Sequence, residues 1–133
     1  MMFLLDTNAC IRILNGSSEK LNTRLRASSP TELCTCAVVK AELYFGARKS
    51  ARVHANLTLL STLFDPWISL PFDDLAAEHY GQVRADLARL GKLIGPNDLM
   101  IASIARAHDA VLVTHNGAEF SRVVGLRLED WEA

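Results

Sequence analysis

The sequence predicts an α/β domain with a central, mostly parallel sheet of about four to five strands and helices on both faces. Three observations carry this expectation. Short apolar runs at Met2 to Leu5, Leu33 to Cys36, Ile68 to Phe72 and Ala110 to Thr114 alternate with segments of helical apolar spacing. The first and last runs lack the polar alternation of a half-exposed strand, as strands buried on both faces do. The chain has 133 residues, 50% of them hydrophobic, enough for one core without disulfides or a structural metal. A single domain over residues 1–133 is therefore expected.

The opening strand ends abruptly on Asp6, and Thr7 and Asn8 begin a short helix carrying Ile11, Ile13 and Leu14. Asn15-Gly16-Ser17-Ser18 stops it, a polar helix follows from Glu19 to Ala27, and Ser28-Ser29-Pro30 turns the chain. After Leu33 to Cys36, helical spacing runs from Ala37 to Ala47 through Val38, Val39, Leu43 and Phe45, with Glu42 on the same helix. An amphipathic helix spans Val53 to Phe64, with Leu57, Leu60, Leu63 and Phe64 on one side, and Asp65-Pro66 ends it. Asp73 or Asp74 caps a long helix that carries Leu75, His79, Tyr80, Val83, Leu87 and Leu90 as far as Gly91. This helix and Val53 to Phe64 are the natural helical flank or clamp outside the sheet. The next helix starts at Asn97 or Asp98 and runs to Ala107; being apolar nearly all round, it belongs at the centre. Leu126 to Leu128 reads as a last edge strand.

A net charge of -1 excludes a strongly basic, charge-driven nucleic-acid binder but leaves room for a local patch beside an acidic metal site. Cys10, Cys34 and Cys36 cannot all pair within one chain, and no basic secretion signal precedes the apolar opening; both point to a reduced cytoplasm. Cys34-x-Cys36 lacks the second half of a zinc site, so buried apolar roles are expected. No apolar run approaches the length of a membrane span.

In an open α/β sheet, ligands bind beyond the carboxyl ends of the strands. Asp6 after the first strand, Asp98 at a helix start and Glu119 beyond Thr114 all belong to that end, and Glu42 joins them if its helix turns inward. The competing reading of Asp6 is an ordinary helix cap. At a helix N-terminus the macrodipole favours ionised Asp98, whereas clustered carboxylates raise one another's pKa unless a divalent cation lies between them. Oxygen ligands without a His/Cys set point to Mg2+ or Mn2+, and such a metal suits phosphodiester hydrolysis. Thr7, Asn8, Thr114 and Asn116 are short polar groups able to hydrogen-bond the acids; their bland alternative is turn chemistry. Arg12, Lys40, Arg48, Lys49, Arg84, Arg89 and Lys92 are candidate phosphate contacts, Lys92 foremost for its glycine-bounded loop. His115 is either a peripheral substrate contact or a solvated turn residue. Trp67 and Trp131 suit packing better than base stacking.

Four segments, Leu4 to Asn8, Val39 to Gly46, Ile94 to Ala102 and Leu112 to Phe120, together resemble a PIN-domain ribonuclease of the VapC toxin type, in order and spacing across essentially the whole chain. The resemblance implies a Mg2+- or Mn2+-dependent endoribonuclease that cuts RNA, including transfer RNA. It also implies a dimer, in some cases part of a larger toxin–antitoxin assembly, held inactive by a cognate VapB-like antitoxin whose C-terminal segment fills the active-site groove. The positions matching the family's metal acids are Asp6, Glu42 and Asp98, with the fourth acidic place at Asn116 or Glu119. Many relatives carry Asp where Asn116 stands, and an amide supplies no charge.

Two other functions remain open at this level. One is a haloacid-dehalogenase-like phosphatase using Asp6 as nucleophile, although Asn8 replaces the second Asp such chemistry needs. The other is a non-catalytic α/β binding module whose acids are caps and surface groups.

Overall fold

A computed structural model describes residues 1–133. Five strands form one sheet: β1 (Phe3–Leu5), β2 (Leu33–Cys36), β3 (Ile68–Leu70), β4 (Val111–Val113) and β5 (Leu128–Glu129). Their spatial order is β3-β2-β1-β4-β5, and every neighbouring pair is parallel. Phe3 pairs with Leu33 on one side and with Val111 on the other, so β1 is the central strand. Strands β1, β2 and β4 are buried along their whole length, which explains their unbroken apolar runs. The last strand lies slightly later than its sequence suggested, because Leu128 and Glu129, not Leu126, face β4.

Helices α1 (Thr7–Asn15), α2 (Glu19–Arg26), α3 (Ala37–Arg48), α4 (Val53–Phe64), α5 (Asp74–Arg89), α6 (Pro96–Ala107) and the short α7 (Gly117–Phe120) fill the connections. Gly16, at φ 64°, ends α1 in the left-handed conformation and sends its N–H back to the Arg12 and Ile13 carbonyls. Asp73 caps α5, its carboxylate accepting from the Ala76 N–H at 3.0 Å. Helix α6 begins earlier than expected: Gly95 is the cap and Pro96 the first helical residue, which leaves Asp98 inside the first turn and free of a capping role. Its Leu99, Ile101, Ala102, Ser103, Ile104 and Ala105 are buried, confirming a central helix. The two flanks are distinct, α4 packing on α3 and α5 on α6.

The strand order contains one reversal. From β1 the chain winds outward through β2 to β3, then returns across β1 to β4 and β5. The reversal lies between β1 and β4, where the two following connections leave on opposite sides and open a crevice beyond the strand ends. Asp6 follows β1 there and Thr114 follows β4; the Asp6 N–H donates to the Val113 carbonyl at 3.1 Å, tying the two ends together.

Candidate metal centre

Asp6 is a helix cap that stands at the crevice. One carboxylate oxygen accepts from the Ala9 N–H at 2.8 Å, capping α1. The residue is only 5% exposed, and burial raises its pKa against the opposing effects of the Thr114 hydroxyl, the Ala9 N–H and the Arg12 charge. Thr114, itself buried, also accepts from the Asn116 N–H at 3.0 Å and so shapes the turn after β4.

Glu42 arrives from α3, whose Val39, Leu43 and Ala47 face the core. The Thr7 hydroxyl donates to Glu42 Oε1 at 2.6 Å, joining the first turn of α1 to the middle of α3. Below it, burial pushes up the Cys36 thiol, and the Glu42 charge adds to the effect. Burial likewise raises Cys10, and Cys34 to about 12; all three cysteines are free and buried, as packing groups are.

Asp98 carries the clearest electrostatic signal. Its carboxyl is pushed up to about 6, first by burial and then by the charges of Glu119, Glu42 and Asp6. Burial and the three neighbouring carboxylates together outweigh the helix dipole, and the mutual effect of the acids is the one expected of a carboxylate cluster without a cation. The order of those charges also bears on the fourth corner, since Glu119 leads them and Asn116 Nδ2 donates to Glu119 Oε2 at 2.5 Å. The Glu119 charge thus acts on Asp98, while the Asn116 amide is hydrogen-bonded to Glu119.

No lysine or arginine forms an ion pair with Asp6, Glu42, Asp98 or Glu119. Four oxygen donors with uncompensated charge fit a hard divalent cation. Other predicted residues stay apart. Asn8 and Lys92 are exposed and make no side-chain hydrogen bond. Arg12 is engaged by Glu132 at 2.6 Å, Arg89 pairs with Asp86, and Lys40 lies 5.4 Å from the centre of the Phe64 ring. His115 pairs with Asp130 at 2.8 Å, and Trp131 is buried against Phe3, 5.3 Å between ring centres. Two features escaped sequence reasoning. The Arg12–Glu132 pair spans nearly the whole chain, and Phe45, expected to pack, is 66% exposed.

A parallel sheet whose reversal point gathers four carboxylates, none paired with a lysine or arginine, belongs to the α/β proteins that could hold a divalent cation at the strand ends, and phosphate-ester chemistry is a natural use of such a site. The PIN domain family model matches residues 3–126. The chain is 40% identical over 131 residues to the tRNA(fMet)-specific endonuclease VapC of Shigella flexneri, covering 98% of both chains. It superposes on the crystal structure of VapBC2 from Rickettsia felis bound to a promoter DNA fragment with a TM-score of 0.92, at 34% identity over 98% of this chain and 99% of that one. The DNA-bound VapBC of Salmonella typhimurium also gives 0.92, at 38% identity over 98% of each chain. The chain belongs to the PIN domain family, among the VapC ribonucleases.

Proposed function

We infer that this protein is a divalent-metal-dependent endoribonuclease toxin that hydrolyses phosphodiester bonds in RNA, with Asp6, Glu42, Asp98 and Glu119 holding the metal. The observation that carries the reading is the convergence of four acids from distant segments at one crevice, with Asp98 raised to about 6 by burial and by the charges of the other three, and no lysine or arginine paired to any of them. Mg2+ is the natural occupant and Mn2+ an alternative, because both prefer an all-oxygen set. When bound, the ion polarises a phosphoryl oxygen and lowers the pKa of water. The chain's own groups set the geometry. Thr7 holds Glu42, Asn116 holds Glu119, and the Ala9 N–H and Thr114 hold Asp6, so the donors are oriented before substrate arrives. Asn8 and Lys92 remain free to meet the RNA.

Transfer RNA is the substrate class favoured by the likeness to the Shigella endonuclease. A cognate VapB-like antitoxin is the expected partner, since the solved relatives are VapBC assemblies, and the toxin is expected to dimerise. No helix is long and apolar enough to cross a membrane, and the three free thiols suit the reducing cytoplasm. The phosphatase alternative is not favoured, because Asn8 stands where such chemistry needs a second Asp and the family relatives are ribonucleases. Incubating the purified, partner-free protein with bulk transfer RNA tests the function. Cutting should require Mg2+ or Mn2+ and stop in Asp6→Asn, and undiminished cutting in excess chelator would refute the reading.

A further inference from the structure

Glu42 and Phe45 lie one turn apart on the same side of α3. Both line a shallow cavity of about 560 Å³ between α3 and the start of α6, together with Val38, Ala41, Asn97 and Met100. The cavity therefore adjoins the acidic crevice, with Glu42 in its wall and Asn97 of its lining immediately before Asp98 in sequence. Phe45 is 66% exposed, well above Tyr44 at 41% and Phe72 at 36%. Core packing does not account for an uncovered phenyl ring at an acidic crevice. The Lys49 ammonium lies over its ring, 5.1 Å from the centre, placing a cation at the exposed aromatic group.

We propose that Phe45 is a stacking platform for an unpaired RNA base next to the scissile phosphate, with Asn97 meeting the base edge and Lys49 the adjoining backbone. The proposal rests on the ribonuclease reading and adds the residue that grips the substrate beside the cut. The chemistry of the lining favours a nucleobase over an apolar peptide. Five of the seven lining residues are apolar, as a base face requires, and Asn97 both donates and accepts, as a base edge requires. Lys49 attracts a polyanion, whereas an apolar peptide leaves the amide and the ammonium unmatched. Single-stranded RNA is commonly held in this way, by splayed bases stacked on aromatic rings.

The test measures anisotropy of a fluorescein-labelled, unstructured oligoribonucleotide with Mg2+, in an Asp98→Asn background that prevents turnover. Phe45→Ala should raise Kd about tenfold, and Phe45→Trp should keep it within about twofold. An abasic nucleotide scanned through the oligonucleotide should erase the difference between the Phe45 and Phe45→Ala proteins at one position. Because Phe45 is exposed, the thermal midpoints should coincide. Equal Kd values for the two proteins overturn the proposal, as does a loss that persists with every abasic oligonucleotide. If Phe45→Ala instead lowers the sedimenting mass, the cavity is covered by a second copy of the chain and the base platform is wrong. Intact metal-dependent cutting without any Phe45 dependence sinks the platform alone, while an unsubstituted protein that neither cuts nor binds RNA sinks the ribonuclease reading with it.

Discussion

At the crevice between β1 and β4, burial and the charges of Glu119, Glu42 and Asp6, none of them paired with a lysine or arginine, raise the Asp98 carboxyl to about 6. At the C-terminal tail, His115, Asp130 and Glu132 bring potential ligand atoms within 4.8 Å of one another, a tighter cluster by distance alone. There, however, each acid already has a partner: Glu132 meets Arg12 at 2.6 Å and Asp130 meets His115 at 2.8 Å. Burial works against ionised Asp130, yet the Glu132 N–H, His115 and Arg12 together hold its carboxyl below the ordinary value. Closeness marks a satisfied ion-pair network in one case; in the other the acids lack a lysine or arginine partner, the condition under which the proposed cation would bind. The tail network also touches the crevice indirectly, since Arg12 lowers the Asp6 pKa and Glu132 raises it.

The strongest way to break this contrast is to neutralise each cluster in turn. Asp98→Asn should lower RNA cleavage by at least about a hundredfold, the order expected when one group of a catalytic metal constellation is lost. Gel-resolved cleavage of transfer RNA measures it, and a loss below about tenfold would remove Asp98 from the metal set. Next in size is Trp131→Ala, which removes a ring buried against Phe3 with Arg24 4.5 Å above it. Urea unfolding should show a destabilisation of about 3–5 kcal/mol, while the folded fraction still cuts RNA; lost cutting in that fraction would give the tail a catalytic part.

Metal addition sharpens the contrast further. At about a hundred times its Kd, Mn2+ should stabilise the unsubstituted protein by about 2.7 kcal/mol, and the gain should vanish in Asp98→Asn but survive in Asp130→Asn. The opposite pattern in calorimetric melts would move the metal to the tail.

The pH dependence of the metal-free protein follows from Asp98. Folding raises its pKa from 3.8 to about 6, so the folded state holds this proton more tightly than the unfolded chain does. Its contribution to stability is therefore best at acid pH, declines as pH rises from about 4 through about 6, and levels off above that. Asp98→Asn should flatten this part of the profile, leaving the metal-free variant at least as stable as the parent at neutral pH. A parallel profile in the two proteins would show that the crevice charges are screened. The smallest effect belongs to Asp130→Asn, whose partner His115 is half exposed; its cost should stay below about 1 kcal/mol, with cleavage unchanged.

Much of this was legible in the chain itself. The apolar runs of β1, β2 and β4, the helix of Val53 to Phe64 and the apolar girth of α6 announce a parallel sheet with a central helix, because full burial leaves no alternation to misread. Asp6 was visible as an acid at a strand end, Asp98 as one at a helix start, and Glu42 as a carboxylate amid the apolar spacing of a helix. Less legible were the groups whose environment depends on distant packing. Phe45 shares the apolar spacing of α3, yet the helix buries Val39, Leu43 and Ala47 and turns the ring outward. Arg12 looked available to phosphate until the C-terminal Glu132 came to meet it.

Local pattern thus determined the strands, most of the helices and the candidate acids, since hydrophobic period, caps and glycine turns act over a few residues. The tertiary structure alone decided which charges are answered and which are not. Coulomb energy depends on separation through space, and Glu119, Glu42 and Asp6 come to bear on Asp98 only when the sheet reverses its winding between β1 and β4.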